Sequence, residues 1–253
     1  MNTTETLGRA LGVALAPLTA VGSLVRRARL FHPDGLVYRA EVTSLGNRGS
    51  SIADRLAGPA LVRLSSAWWK GDKEWSDILG LAIRFRGTAE ITPVPDPGDQ
   101  DLLLATMRRV WMIPFAPLTT NPHSFLCNDY HGALPFNVEG LGRARLSLLG
   151  PRLPTEGRPR AEALEAAVAK GFAVFELWAR LLERSARIEP LVAVCLLERV
   201  SLDQEALRFD PFREGRGLSP CGFVQNVRRA TYRASQWARP QTAGARGRPS
   251  DTA

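Results

Sequence analysis

The feature that most constrains this chain is a series of short segments in which apolar and polar residues alternate, with no helical stretch between them. From Leu36 to Val42 the run LVYRAEV puts Tyr38, Ala40 and Val42 on one face and Arg39 and Glu41 on the other, the two-residue period of a half-buried strand. Segments of the same kind recur at ALVRLSS (60–66), GLAIRFRG (80–87), GRARLSLLG (142–150) and LVAVCLLERV (191–200). Sequential strands without crossover helices predict an antiparallel sheet, here a barrel.

A different texture begins at Arg160. RAEALEAAVAKGFAVFELWARLLERSA repeats Leu164, Val168, Phe172, Phe175, Trp178 and Leu182 at helical spacing over good helix formers. It predicts one long amphipathic helix over 160–186, whose apolar face meets either its own barrel or a second copy in a homo-oligomer. A second helix is predicted over 224–238, and residues 241–253 have no apolar content to bury and read as a disordered tail. Near the N-terminus LGVALAPLTAVGSLV (Leu11 to Val25) lacks a basic preceding region, contains Pro17 and is too short to span a bilayer. It reads as a helix packing on the domain, with a secretory signal as the alternative. The expectation is an α+β single domain over 1–240: a barrel over about 29–150 with a further strand at 188–200, followed by C-terminal helices.

The formal net charge of the 253 residues is +8, and of the 33 basic residues only Lys70, Lys73 and Lys170 are lysine. Such a balance points to anionic partners: nucleic acid, acidic lipid, or a small ligand bearing carboxylates or phosphates. Cys127, Cys195 and Cys221 are odd in number and widely spaced, which supports neither a disulfide framework nor a zinc site and fits a reducing cytoplasm.

The stretch VRRATYRASQWARP, Val227 to Pro240, looks at first like a nucleic-acid-binding tail. On a helix, however, Arg228, Tyr232, Ser235 and Arg239 form one stripe. A cation one turn before a tyrosine favours the phenolate. A tyrosine with an ordinary pKa of about 10 needs such help to act as an anionic ligand, for ferric iron among others. The competing reading packs the Tyr232 ring on the core and leaves its arginines solvated.

Three segments at the other end of the chain bear on that choice: RLFHPDGLVYRAEV (29–42), VRLSSA (62–67) and DILGLAIRFR (77–86). Taken in order with the C-terminal helix, they resemble the haem catalase superfamily. There an arginine three residues before a histidine opens the barrel, an R-F-S strand follows, and a D-x-x-G-[FL]-A-[VI]-[KR]-F strand comes next. Arg228, Tyr232 and Arg239 match that family's terminal spacing, and Ser219, Pro220 and Gln225 resemble the run that leads into it. The size suggests a small single-domain bacterial catalase-like protein, a catalase-related peroxidase. The resemblance implies an antiparallel β-barrel of catalase type holding haem b. It implies Tyr232 as axial ligand of the iron, Arg228 beside its phenolate, Arg29, Arg63 and Arg239 on the propionates, His32 as distal histidine and Ser65 as the hydroxyl that orients it.

The chemistry agrees with those roles. Forked guanidinium groups suit carboxylates. Cleaving a peroxide O–O bond needs a base that takes a proton from one oxygen and returns it to the other, which suits histidine near neutral pH. Standing alone, His32 in HPDG would read as a turn residue.

One departure matters. Ala105 and Thr106 stand where catalases carry a pair of asparagines, the first of which helps position peroxide. The expected function is therefore a peroxidase acting on hydrogen or organic peroxides with a small-molecule co-substrate, more than an efficient catalase. The alternatives are rearrangement of a fatty-acid hydroperoxide as in allene oxide synthases, haem binding without turnover, and a basic nucleic-acid-binding protein. The last is disfavoured because Arg29, Arg63, Arg228 and Arg239 lie on different elements. The segment 114–136 matches nothing in the family. Its His123, Asn128, Asp129, Tyr130 and His131 read as loop residues satisfying backbone groups, with a metal site from His123, Asp129 and His131 as the weaker reading.

Overall fold

The computed structural model describes residues 35–46, 51–69, 73–109, 115–183, 187–204 and 206–221. By compactness the chain divides after Cys221. The unit from Gly222 onward lies outside the described residues, and with it the expected helix over 224–238 and the tail 241–253; so does the apolar run Leu11 to Val25.

Ten strands run through the described residues: β1 (Leu36–Ser44), β2 (Gly58–Ser66), β3 (Leu79–Phe85), β4 (Gln100–Ala105), β5 (Asp129–Gly132), β6 (Phe136–Val138), β7 (Gly142–Leu149), β8 (Val174–Leu181), β9 (Ile188–Arg199) and β10 (Leu218–Pro220). Three short helices accompany them there: α1 (Ser51–Leu56), α2 (Ala116–Thr119) and α3 (Arg160–Ala169). The strands β5, β4, β3, β2, β1, β9 and β8 follow one another, and β7 pairs with both β8 and β5. Eight antiparallel strands thus close on themselves, which is the barrel expected from the sequence. The short β6 takes the other end of the β7 edge, and β10 extends it.

The two-residue period sorts the side chains. Tyr38, Ala40 and Val42 of β1, Val62 and Leu64 of β2, and Leu81, Ile83 and Phe85 of β3 share the interior cluster with Tyr130, Leu146, Phe175 and Leu177 from the far wall. A small barrel filled this way is a packed core, each large apolar side chain contributing about 1.5–3 kcal/mol by burial. Helix α3 packs over one end, its Leu164 and Ala167 joining the cluster. Its first residue follows Pro159, which offers no capping side chain. The Glu74 carboxylate, from the β2–β3 connection, accepts the Arg160 backbone N–H instead, placing an anion at the positive end of the helix.

The long helix expected over 160–186 is not formed. α3 stops at Ala169, Gly171 turns with φ 72°, and the chain continues as β8. The residues buried there are Phe175, Leu177, Ala179 and Leu181, at a spacing of two. Phe172 and Leu182, which the helical stripe would have buried, are exposed. AVFELWARL satisfies both periods on paper, and its aromatic and alternating character wins once a glycine in a left-handed conformation has ended the helix. The short α3 that does form faces its own barrel.

After β9 the chain crosses the outside of the barrel. Leu207 is buried on the outer face against Val37 and Leu61, with Val200, Leu202 and Phe209 packed beside it. Farther along, Arg84 and Asp101, paired across β3 and β4, meet in a fully buried fork, Nε to Oδ1 at 2.8 Å and Nη2 to Oδ2 at 3.0 Å. Asp101 Oδ2 also accepts from the Asp210 backbone N–H at 2.9 Å and from Arg213 Nε at 3.2 Å, which ties the crossing segment down. Among the described residues no helix is long and apolar enough to cross a membrane.

Candidate functional site

On β2, Leu64 points into the barrel, so its neighbours Arg63 and Ser65 point out. Strand register extends that line: Ser65 pairs with Gly80 and Gly80 with Ala105, while Arg63 pairs with Ala82 and Ala82 with Leu103. At an inter-strand spacing of about 4.8 Å, the row Ser65, Gly80, Ala105 spans roughly 10 Å of outer wall lined by very small side chains.

Arg63 is held by its surroundings. Its Nε donates to Gln204 Oε1 at 3.2 Å, and Gln204 Nε2 donates to the Gly35 carbonyl at 3.2 Å. A Cβ on Gly35 would sit 2.6 Å from that same Nε, so glycine is required there for the arginine to lie as it does. Gly35 thus helps to set where the guanidinium lies.

Ala105 brings no polar group to the row. Thr106 has a hydroxyl, but its hydrogen bonds are committed. Its Oγ1 accepts the Leu79 backbone N–H at 3.1 Å and lies 2.7 Å from Thr120 Oγ1, whose single proton goes to the Ala116 carbonyl at 2.8 Å. Thr106 must then be the donor to Thr120. Neither residue in the place of the asparagine pair has a proton to offer a ligand.

Register adds a residue that sequence reasoning assigned to a loop. His131 lies on β5 opposite Ala105, and Tyr130 beside it points into the core, so His131 faces out in continuation of the row. Its Nδ1 is 2.9 Å from Ser147 Oγ on β7. Burial lowers its pKa below the ordinary value, and the positive charge of Arg108 acts in the same direction against a smaller opposing effect from Asp129. The available signal was the alternation in DYHG, too short to stand out.

The other residues of that segment serve structure. His123 Nδ1 pairs with Glu74 at 3.0 Å, and Asp129 pairs with Arg152. Asn128 Oδ1 accepts the Asn121 N–H at 2.9 Å, while Tyr130 donates to the Phe125 carbonyl at 2.8 Å and burial pushes its phenol pKa up. His123, Asp129 and His131 therefore point to three different partners, and no group of three metal-ligating side chains occurs among the described residues. The sequence-predicted residues Arg29, His32, Arg228, Tyr232 and Arg239 lie outside the described residues.

The closed antiparallel barrel is consistent with a catalase-type barrel, and solved structures match the fold. Catalase A from Saccharomyces cerevisiae superposes with a TM-score of 0.54 at 12% identity, over 87% of this chain and 63% of that one. The chain thus spans somewhat under two thirds of the length of that relative. No protein-family model and no curated protein matches the sequence. The likeness is one of fold.

Proposed function

We propose that this chain is a haem-dependent enzyme acting on peroxides, more a peroxidase than an efficient catalase. The observation that supports it is the outer row itself: Arg63 and Ser65, matched to catalase positions by sequence, stand on one face with Gly80, Ala82 and Ala105. A flat macrocycle bearing carboxylates needs such a surface, small side chains over roughly 10 Å and a positioned guanidinium at the side. Arg63, Ser65, Gly80 and Ala82 support that reading, while Ala105 at the edge of the row packs against Ile78 and Ala116.

Arg63, with Arg29 and Arg239, holds the propionates, and Tyr232 beside Arg228 is the iron ligand. When bound, haem supplies the redox-active iron. The chain's own work is proton handling: Ser65 holds the His32 ring in one tautomer, and His32 takes a proton from the near peroxide oxygen and returns it to the leaving one. With Ala105 and Thr106 offering no donor, a second hydrogen peroxide is poorly positioned for oxidation to oxygen. A separate reducing substrate meets no such requirement.

Absorption spectra of the full chain titrated with hemin test this reading. The wild type is expected to develop a haem–tyrosinate spectrum, Tyr232→Phe to lose it, and His32→Ala to keep it while peroxide consumption falls on the order of 100-fold. A folded protein that takes up no hemin would sink the proposal, and an unchanged spectrum in Tyr232→Phe would remove the ligand assignment. Comparing oxygen release with dye oxidation by organic peroxides separates catalase from peroxidase.

A further inference from the structure

The barrel end that carries the β2–β3, β4–β5 and β7–β8 connections has an aromatic exterior. Trp68 is 47% exposed, Trp75 56%, Phe115 56% and Leu118 80%. They occupy two segments that touch: Ser76 Oγ donates to the Pro117 carbonyl at 3.3 Å, and Ala67 and Ile78 pack with Ala116 of α2. Trp75 is braced in its exposed position. Its ring meets Trp69 edge-on with centroids 4.8 Å apart, and the Trp69 indole N–H donates to the Ser76 carbonyl at 3.0 Å. Phe172, in the β7–β8 connection, is exposed at the same end, whereas the opposite end exposes aliphatic Leu45, Val94, Leu182 and Ile188. Among the described residues, the strongly exposed aromatics are thus confined to one end.

The exposed charges described beside the two tryptophans and α2 are cations, whereas the β7–β8 connection carries both signs, with Glu156 and Glu162 exposed there. Lys73 Nζ lies 5.1 Å from the centre of the Trp75 ring, and Arg108 and Arg109 are exposed where β4 leaves the barrel. The described carboxylates of the first segment, Glu74 and Asp77, are engaged by the protein. Asp77 is fully buried and accepts the backbone N–H groups of Trp68, at 3.0 Å, and of Ile78, at 2.7 Å. Glu74 is engaged by His123 and by the backbone of Arg160.

Indole rings with an apolar body and a polar N–H, set beside lysine and arginine, match a lipid headgroup region, where aromatic side chains settle at interfacial depth and cations meet anionic headgroups. We propose that this end of the barrel docks peripherally on anionic phospholipid membranes. A chain of net charge +8 would be drawn to such a surface from solution, and the aromatic end sets its orientation there.

Co-sedimentation of the full chain with phosphatidylcholine vesicles, with and without about 30 mol % phosphatidylserine, tests the proposal. Expected is binding to the mixed vesicles only, weakened by salt, with a blue shift of tryptophan emission. Trp75→Ser combined with Leu118→Ser is expected to weaken it by about tenfold or more, and Lys73→Glu combined with Arg109→Glu by a similar factor. These positions are exposed, so an unchanged thermal melt verifies that each variant is folded. No sedimentation with the mixed vesicles overturns the proposal, and so does binding that both double variants retain, since net charge or another surface would then account for it. The surface uses none of the residues assigned to haem, so failure here leaves the peroxide reading standing, and the reverse.

Discussion

The outer face of β2, β3 and β4 has two ends built on opposite plans. At one, Arg84 and Asp101 bury a forked ion pair whose spare hydrogen bonds go to Pro93, Arg208, Asp210 and Arg213. At the other, the same three strands carry only the hydroxymethyl of Ser65, the hydrogen of Gly80 and the methyl of Ala105. Buried charge is tolerated where every donor and acceptor is matched by the protein itself, and the matching consumes the site. Small side chains spend no hydrogen bonds there, although Ala105 packs against Ile78 and Ala116, and that makes the Ser65–Gly80 side of this end the candidate for a ligand.

Breaking the charged end should cost most. Asp101→Ala strands Arg84 in the interior and is expected to lower stability by about 3–5 kcal/mol in urea unfolding, whereas replacing both partners with apolar residues of similar volume should recover much of that loss. A loss well under 1 kcal/mol would mean the two ends are not energetically different. Next in size is Ala105→Asn, which puts an amide donor back into the small end. Oxygen release from hydrogen peroxide is expected to rise about tenfold relative to dye oxidation, and an unchanged ratio would detach Ala105 from the reaction.

A third contrast lies inside the barrel. Tyr130 bonds to the Phe125 carbonyl, whereas the buried Tyr38 hydroxyl has no hydrogen-bond partner among the described residues, and its pKa is pushed up to about 12, chiefly by burial. Tyr130→Phe should cost about 1 kcal/mol by thermal or urea melts, and Tyr38→Phe little or nothing. Equal losses would show that Tyr38 is satisfied after all. The smallest effect concerns His131. Its pKa is lower in the fold than in the unfolded chain, so acidification protonates the unfolded chain first. Stability associated with neutral His131 is present above about pH 6.5 and is lost as pH falls below it towards the folded value. His131→Gln should flatten that part of a stability–pH curve; an unchanged slope would place the titration elsewhere.

Sequence pattern reached the parts of this molecule where one signal acts alone. LVYRAEV, ALVRLSS, GLAIRFRG and GRARLSLLG fall on strands because in each the period of two meets no competing period, and LVAVCLLERV does so as a continuous apolar run with Leu191 to Val194 all buried. It failed at AVFELWARL, where both periods fit and the decision rests on the turn at Gly171. For the site, the alternation around Leu64 was enough to put Arg63 and Ser65 on one side. That Gly80, Ala105 and His131 continue their line was not legible, since register between strands is a tertiary property settled by the closed sheet. The proton chain from Thr106 to Ala116 was hidden for the same reason: it joins residues that only the β4–β5 connection brings together.

The closure of the sheet has a consequence in time. β1, the first barrel strand to be made, takes β9 as its second neighbour, with Tyr38 opposite Arg199. On a ribosome the growing chain would therefore hold the β1 edge unpaired until nearly all of the barrel has emerged. Long-range pairing of this kind slows folding and leaves strand edges open to other chains. Recovery of native protein is then expected to depend on how well that one edge is shielded during synthesis.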